Sequence, residues 1–169
     1  MPATQTAPAP SINPQLIVPF VNSVRSVFST MVGVETTVQR PHLKANPAPS
    51  YDVSSIIGFS GDVVGSVVVS FQRATAEKLA SAFAGSPIEF GAPDFADAIG
   101  ELANMIVGGA KKHLGNMATI TVPSVILGSA HVIARLTDVP CVVIPCQTPG
   151  GSFAVEISIK QLTPPEATR

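Results

Sequence analysis

The feature that most constrains this chain is a long stretch of helical periodicity from about Pro93 to Leu114. Its centre reads Asp-Ala-Ile-Gly-Glu-Leu-Ala-Asn-Met-Ile-Val-Gly-Gly-Ala-Lys-Lys from Asp97 to Lys112. At about 100° per residue, Phe95, Ile99, Leu102, Ala103, Ile106 and Ala110 share one side, which must face a core. Asp97, Glu101, Asn104, Gly108 and Lys111 fall in a narrow stripe on the opposite side, within about 40° of its centre. A helix of this length and amphipathicity needs a broad apolar surface to lie on.

A polar stripe is ordinarily a solvated face. Two details set this one apart. Only 12% of the residues are charged, so three ionisable groups and an amide in one row are a concentration. Gly108 and Gly109 lie inside the helix, where each costs roughly 1 kcal/mol relative to alanine. They remove side-chain bulk beside the stripe, as though another surface had to come close. Asp97 near the helix start and Lys111 and Lys112 near its end also have a simple account, since each complements the helix dipole.

Several function classes are disfavoured. The 169 residues predict one domain, and a hydrophobic fraction of 46% can fill a core. A net charge of −1 gives no footprint for nucleic acid or a membrane surface. With no Trp and one Tyr, a base-stacking platform is not expected. Cys141 and Cys146, five residues apart on a strand, point to opposite faces, which argues against a local disulfide or redox pair. They are expected to be buried, inert thiols. His42, His113 and His131 show no ligand spacing, so no metal site is expected. The N-terminus lacks the charged and apolar regions of a secretory signal, and no stretch reaches 18 uninterrupted apolar residues. A soluble cytoplasmic protein is the expectation.

Residues 1–11, rich in Pro, Ala and Thr, read as a disordered tail; 12–162 read as the folded domain and 163–169 as a second tail. Asn13-Pro14 opens a helix whose apolar positions are Leu16, Ile17, Phe20, Val21, Val24, Phe28 and Met31, with Gly33 as its stop. Val34 to Arg40 predicts a strand, 41–49 a loop, and Val53–Phe59 and Val63–Phe71 a hairpin in which Gly58 and Gly65 mark bulges. A short helix is expected over Thr75–Ala84. Beyond the long helix, strands are expected over Thr119–Leu127, with Pro123 at an edge or bulge, and over His131–Leu136, Asp138–Gln147 and Phe153–Lys160. This order predicts an α+β, two-layer fold, with helices packed on a mostly antiparallel sheet.

No Ser-His-Asp or Cys-His set can be assembled from spacing, and no Gly-rich phosphate loop precedes a helix. The residues do carry a resemblance. Glu101-x-x-Asn104, with Asp97 four residues earlier and a Gly-Gly pair four residues after the Asn, is similar to the signature helix of the CheC/CheX/FliY phosphatases. Those proteins dephosphorylate the response regulator CheY in bacterial chemotaxis, a two-component signalling system. The likeness spans about residues 12–160. The first helix has no E-x-x-N, which is the CheX pattern within that family.

The resemblance implies a mechanism. A phosphorylated receiver domain already holds a mixed anhydride on an Asp, a lysine, a hydroxyl residue and a divalent cation. The chain would therefore need no cofactor of its own, Mg²⁺ coming with the partner. Asn104 would orient the attacking water and Glu101 would pair with the receiver lysine, with Asp97, Gly108 and Lys111 on the docking face. A carboxylate and an amide about 4.5 Å apart along a helix make a poor catalyst alone and need a partner site to complete them. The resemblance also implies a homodimer through sheet edges, for which 63–71 and 153–159 are candidates. A non-catalytic receiver-binding adaptor on the same fold, or a structural dimer with a merely solvated stripe, are the alternatives.

Overall fold

A computed structural model describes residues 11–46, 48–116, 118–135 and 138–162. The expected N-terminal tail, apart from Ser11, and the C-terminal tail lie outside them.

Helix α1 spans Pro14–Val27, opened as the sequence expects: the Asn13 side chain accepts from the Gln15 amide at 3.1 Å, and Pro14 takes the first helical position. The coil widens into a π turn over Phe28–Val32, then stops at Gly33 in the left-handed conformation, φ +70°. The amides of Gly33 and Val34 both donate to the Phe28 carbonyl there. Two short strands follow, β1 (Thr37–Val38) and β2 (His42–Leu43). The hairpin is β3 (Val53–Ser60) with β4 (Val63–Phe71). Helices α2 (Arg73–Ala84) and α3 (Pro93–Lys111) come next, then β5 (Thr119–Ile120), β6 (Ser124–Leu127), β7 (Val142–Thr148) and β8 (Gly151–Gln161).

All the strand pairings are antiparallel, in one sheet ordered β1-β7-β8-β4-β3-β5, with β2 also on β7 and β6 also on β3. The three helices cover one face. Phe59, Val67, Val69, Phe71, Phe153, Val155 and Ile157 point into that layer, and Phe28 stacks on Phe153 at 4.9 Å between ring centroids. The architecture is the α+β, two-layer one expected.

Several boundaries differ from expectation. The strands 63–71 and 153–159 are not edges: β4 and β8 lie side by side in the middle of the sheet. Their valine-rich character reflects burial on both faces rather than an open rim. The run Val34–Arg40 yields only two paired residues, and β2 falls inside the expected loop. Pro145 accounts for this break. Its carbonyl accepts from the Gln39 amide, so its missing N–H also faces the β1–β2 side, where ladder pairing is interrupted. Residues 131–135 form no strand, and β7 begins only after Pro140. Leu136 lies outside the described residues. Cys141 precedes β7 and is half-buried, while Cys146 is buried.

The expected Thr119–Leu127 strand is split at Pro123. Between the pairs Phe59↔Ile120 and Ile56↔Ser124, two residues of β3 face three of the β5–β6 segment, a one-residue bulge. Gly58 lies opposite this bulge and donates its amide to Thr121 Oγ1 at 2.9 Å. Gly65 does not mark a bulge. It sits at φ +130° where a Cβ would come 2.1 Å from the Ser158 carbonyl oxygen, so it allows β8 to approach.

The face away from the helices is also covered at its centre. Val68 and Glu156 are both 0% exposed there. The irregular segments 44–46, 48–51, 128–135 and 138–140 contribute residues that lie across it. Glu156 accepts from Lys44 Nζ at 3.0 Å, from the Ser50 amide at 2.9 Å and from Arg135, while His131 Nε2 lies 3.0 Å from Ser54 Oγ. The alternation Phe153/Ala154 to Ile159/Lys160 thus separates two different buried environments, apolar and polar, before reaching solvent at Lys160.

Candidate functional site

Helix α3 is the scaffold of the site. Pro93 sets its first turn, Asp94 lies near its positive end and Lys111 near its negative end. Phe95, Ile99, Leu102, Ala103, Ile106 and Ala110 are each 0% exposed, the face that the spacing assigns to the core. Burying one such Leu, Ile or Phe contributes about 2 kcal/mol, so the helix is held firmly in rotation. That rotation carries the polar stripe outward. Asp97 and Glu101 are exposed; Asn104, Gly108 and Lys111 are half-buried. Among the described residues neither Glu101 nor Asn104 is tied up in a hydrogen bond or ion pair. An acid and an amide therefore stand one turn apart on a rigid element, both available to another molecule.

The glycines of α3 have three different surroundings. At Gly100 a Cβ would meet Val125 Cγ2 at 3.4 Å and Pro123 Cβ at 3.7 Å, so this glycine lets the helix lie against the bulged edge of the sheet. At Gly109 a Cβ would meet Ser23 Oγ at 2.4 Å. Ser23, on α1, donates to the Ile106 carbonyl oxygen at 2.6 Å, which ties the two helices together. The bulk missing at Gly109 is thus explained by the chain's own packing, against α1 rather than the sheet. At Gly108 a Cβ would meet nothing within 4 Å.

Packing adds neighbours that spacing could not reveal. On one flank of the stripe, α1 and α3 leave a groove of about 650 Å³, lined in part by Met31, Met105, Gly108 and Lys112. On the other flank lie Pro123 and Val125, beside a fully displayed Val122, 85% exposed. This side of the groove had no local signal, since Met31, in the turn after α1, and Met105 are far apart in sequence and line one groove only because the helices pack together.

Elsewhere the chemistry is structural. Burial pushes the Cys146 thiol up to about 12 and raises Cys141 as well. Among the described residues no group of three or more His, Cys, Asp or Glu side chains is placed to hold a metal. No helix among them is long and apolar enough to cross a membrane.

The fold defines the class, three helices on one face of an open antiparallel sheet, and the longest helix presents an unengaged carboxylate and carboxamide on its outer side. Comparison with known proteins places the chain within that class. The family of chemotaxis phosphatase CheX matches residues 53–147. The CheY-P phosphatase CheX of Thermotoga maritima is 32% identical over 113 residues, covering 64% of this chain and 72% of the relative. The crystal structure of the chemotaxis protein CheX from Desulfovibrio desulfuricans superposes with a TM-score of 0.78 at 34% identity, over 88% of this chain and 99% of that one. A chain of the CheX–CheY–BeF₃–Mg²⁺ complex from Borrelia burgdorferi matches with a TM-score of 0.71 at 26% identity, over 86% and 98%. The chain belongs to the CheX family of chemotaxis phosphatases.

Proposed function

We propose that this protein hydrolyses the phospho-aspartate of a CheY-like receiver domain. The observation that carries the reading is the outward display of Glu101 and Asn104 from a helix whose opposite face is wholly buried. In the reaction a water oxygen bonds to phosphorus, the bond from phosphorus to the aspartyl oxygen breaks, and the aspartate and inorganic phosphate are released. The transition state is loose, so positioning dominates. A carboxamide both donates and accepts, which suits Asn104 to hold a water in line with the leaving oxygen. Glu101 pairs with the receiver lysine and sets the register of docking. Asp97, Gly108 and Lys111 lie on the surface that the receiver covers. Mg²⁺ comes with the receiver and neutralises phosphoryl charge. Membership of the CheX family and the Borrelia relative's complex with CheY, BeF₃ (a chemical mimic of a phosphoryl group) and Mg²⁺ support this reading.

The test is phosphate release from a phosphorylated CheY-like receiver. Wild type should accelerate it, and Asn104→Ala should lose about 100-fold of that acceleration while still binding. An Asn104→Ala variant with full activity would remove the proposed role. Binding without any acceleration by wild type would make the protein an adaptor.

A homodimer forms part of the same reading. With β4 and β8 internal, the open rims are β1–β2 on one side and β5–β6 on the other. The β5–β6 rim carries Val122, between the two strands, and the 38%-exposed Leu127, and is the better candidate. Sedimentation of Val122→Lys against wild type checks it: an unchanged dimer would exclude that rim.

A further inference from the structure

We infer that the groove between α1 and α3 is a second contact for the same receiver, taking an apolar side chain of the partner flanked by a carboxylate. The inference rests on the proposed function and adds a surface to it.

Gly108 is the first ground. Gly100 and Gly109 are each required by a neighbour within this chain, Val125 and Ser23, whereas a Cβ at Gly108 would meet open space. A glycine inside a helix weakens it relative to alanine, and Gly108, in the last turn of α3, gains no packing in return in the free protein. The space beside it is useful only to something that arrives from outside. Gly108 lies both on the stripe and on the wall of the groove, so the two surfaces are continuous.

Size is the second ground. A standard protein interface covers about 800 Å² on each partner, a patch roughly 30 Å across. Gly108 lies about 6 Å and Lys112 about 12 Å along the axis from Asn104, at 1.5 Å per residue. A receiver that engulfs Asn104 therefore reaches the groove.

The lining gives the chemistry of what enters. Met31, 50% exposed, and Met105 offer adaptable apolar walls, and Lys112 and His113 stand at one end. Along α3 the charges are segregated. Asp94, Asp97 and Glu101 precede Asn104, while Lys111 and Lys112 follow it. The acidic half meets the receiver lysine; the basic half then calls for a partner carboxylate, and the two together admit one orientation of docking.

The experiment uses steady-state phosphate release and melting of the full chain. Met31→Glu alters a half-exposed wall of the groove that lies off the stripe; it should melt close to the wild-type temperature, yet raise KM for the phosphorylated receiver about tenfold. Lys112→Glu should raise KM by a similar factor and flatten its dependence on salt. Both should leave kcat at saturating receiver within about twofold. Unchanged KM in both variants, with Asn104→Ala inactive, would overturn the groove and leave the proposed function standing. An active Asn104→Ala with raised KM in the groove variants would do the reverse. A changed sedimentation coefficient with unchanged KM would assign the groove to a second copy of this chain and overturn the inference.

Discussion

Glu101 and Asn104 differ in what they would contribute, and their settings suit the difference. Glu101 is the more exposed, at the outer edge of the stripe, where a charge meets a partner early and fixes its approach. Asn104 is half-buried, so its shorter side chain starts from a better-fixed position. Reversing the charge with Glu101→Lys should therefore act on association. Truncating one partner of a desolvated pair costs about 2–5 kcal/mol, so affinity for the receiver should fall by about 30-fold or more, as a binding titration would read. Normal affinity in that variant would dismiss the ion pair. At the same scale, Cys146 should resist alkylation at neutral pH in the folded protein and react once unfolded. Burial holds its thiol near 12, and only the thiolate is a nucleophile. Mass spectrometry with and without denaturant checks this.

Between elements, the contact of α1 with α3 decides the shape of the site. The two helices approach closely because Gly109 has no side chain and Ser23 a small one, whose hydroxyl binds the Ile106 carbonyl at 2.6 Å. Gly109→Ala must push Ser23 aside and forfeit that bond, or part the helices. Either outcome should destabilise by about 1–3 kcal/mol, measured by denaturant unfolding. Removing the hydroxyl as well, in Gly109→Ala with Ser23→Ala, should restore only part of the loss, because the Ser23 Cβ would still lie 3.3 Å away. Strict additivity of the two single changes would show that they do not share this contact. The other flank depends on the bulge at 121–123, which sets Pro123 and Val125 against Gly100. The sequence marks the break with Pro123, but not the face it turns to.

On the scale of the whole molecule, the covered second face of the sheet ties distant segments together. Burial by itself would raise the Glu156 carboxyl, but its bonds from Ser50 and Lys44 and the charges of Lys44 and Arg135 outweigh this and hold it below its ordinary value of 4.5. A carboxyl depressed by folding contributes stability that is present above its unfolded value and lost as the pH falls towards its folded one. Unfolding free energy should therefore decline with acid below about pH 4.5 in wild type, more steeply than in Glu156→Gln. That variant leaves two buried cations without their anion and should lose about 3–5 kcal/mol at neutral pH. Denaturant titrations across pH check both statements. The amino-acid sequence alone determined the helical faces of α3, the cap of α1 at Asn13-Pro14 and the α+β class, because these follow from local period and local hydrogen bonding. It also set Glu101 and Asn104 side by side on the outward face of that helix, since one turn of helix places two residues together wherever the helix lies. It misplaced the sheet edges because a valine-rich strand reads alike whether one of its sides or both pair with a neighbouring strand. Only the tertiary structure decided that β4 and β8 are central, that Gly109 faces α1 while Gly108 faces open space, and that Glu156 is buried among cations. Each of these depends on which distant segment comes to lie alongside, and no periodicity within an element encodes its neighbour.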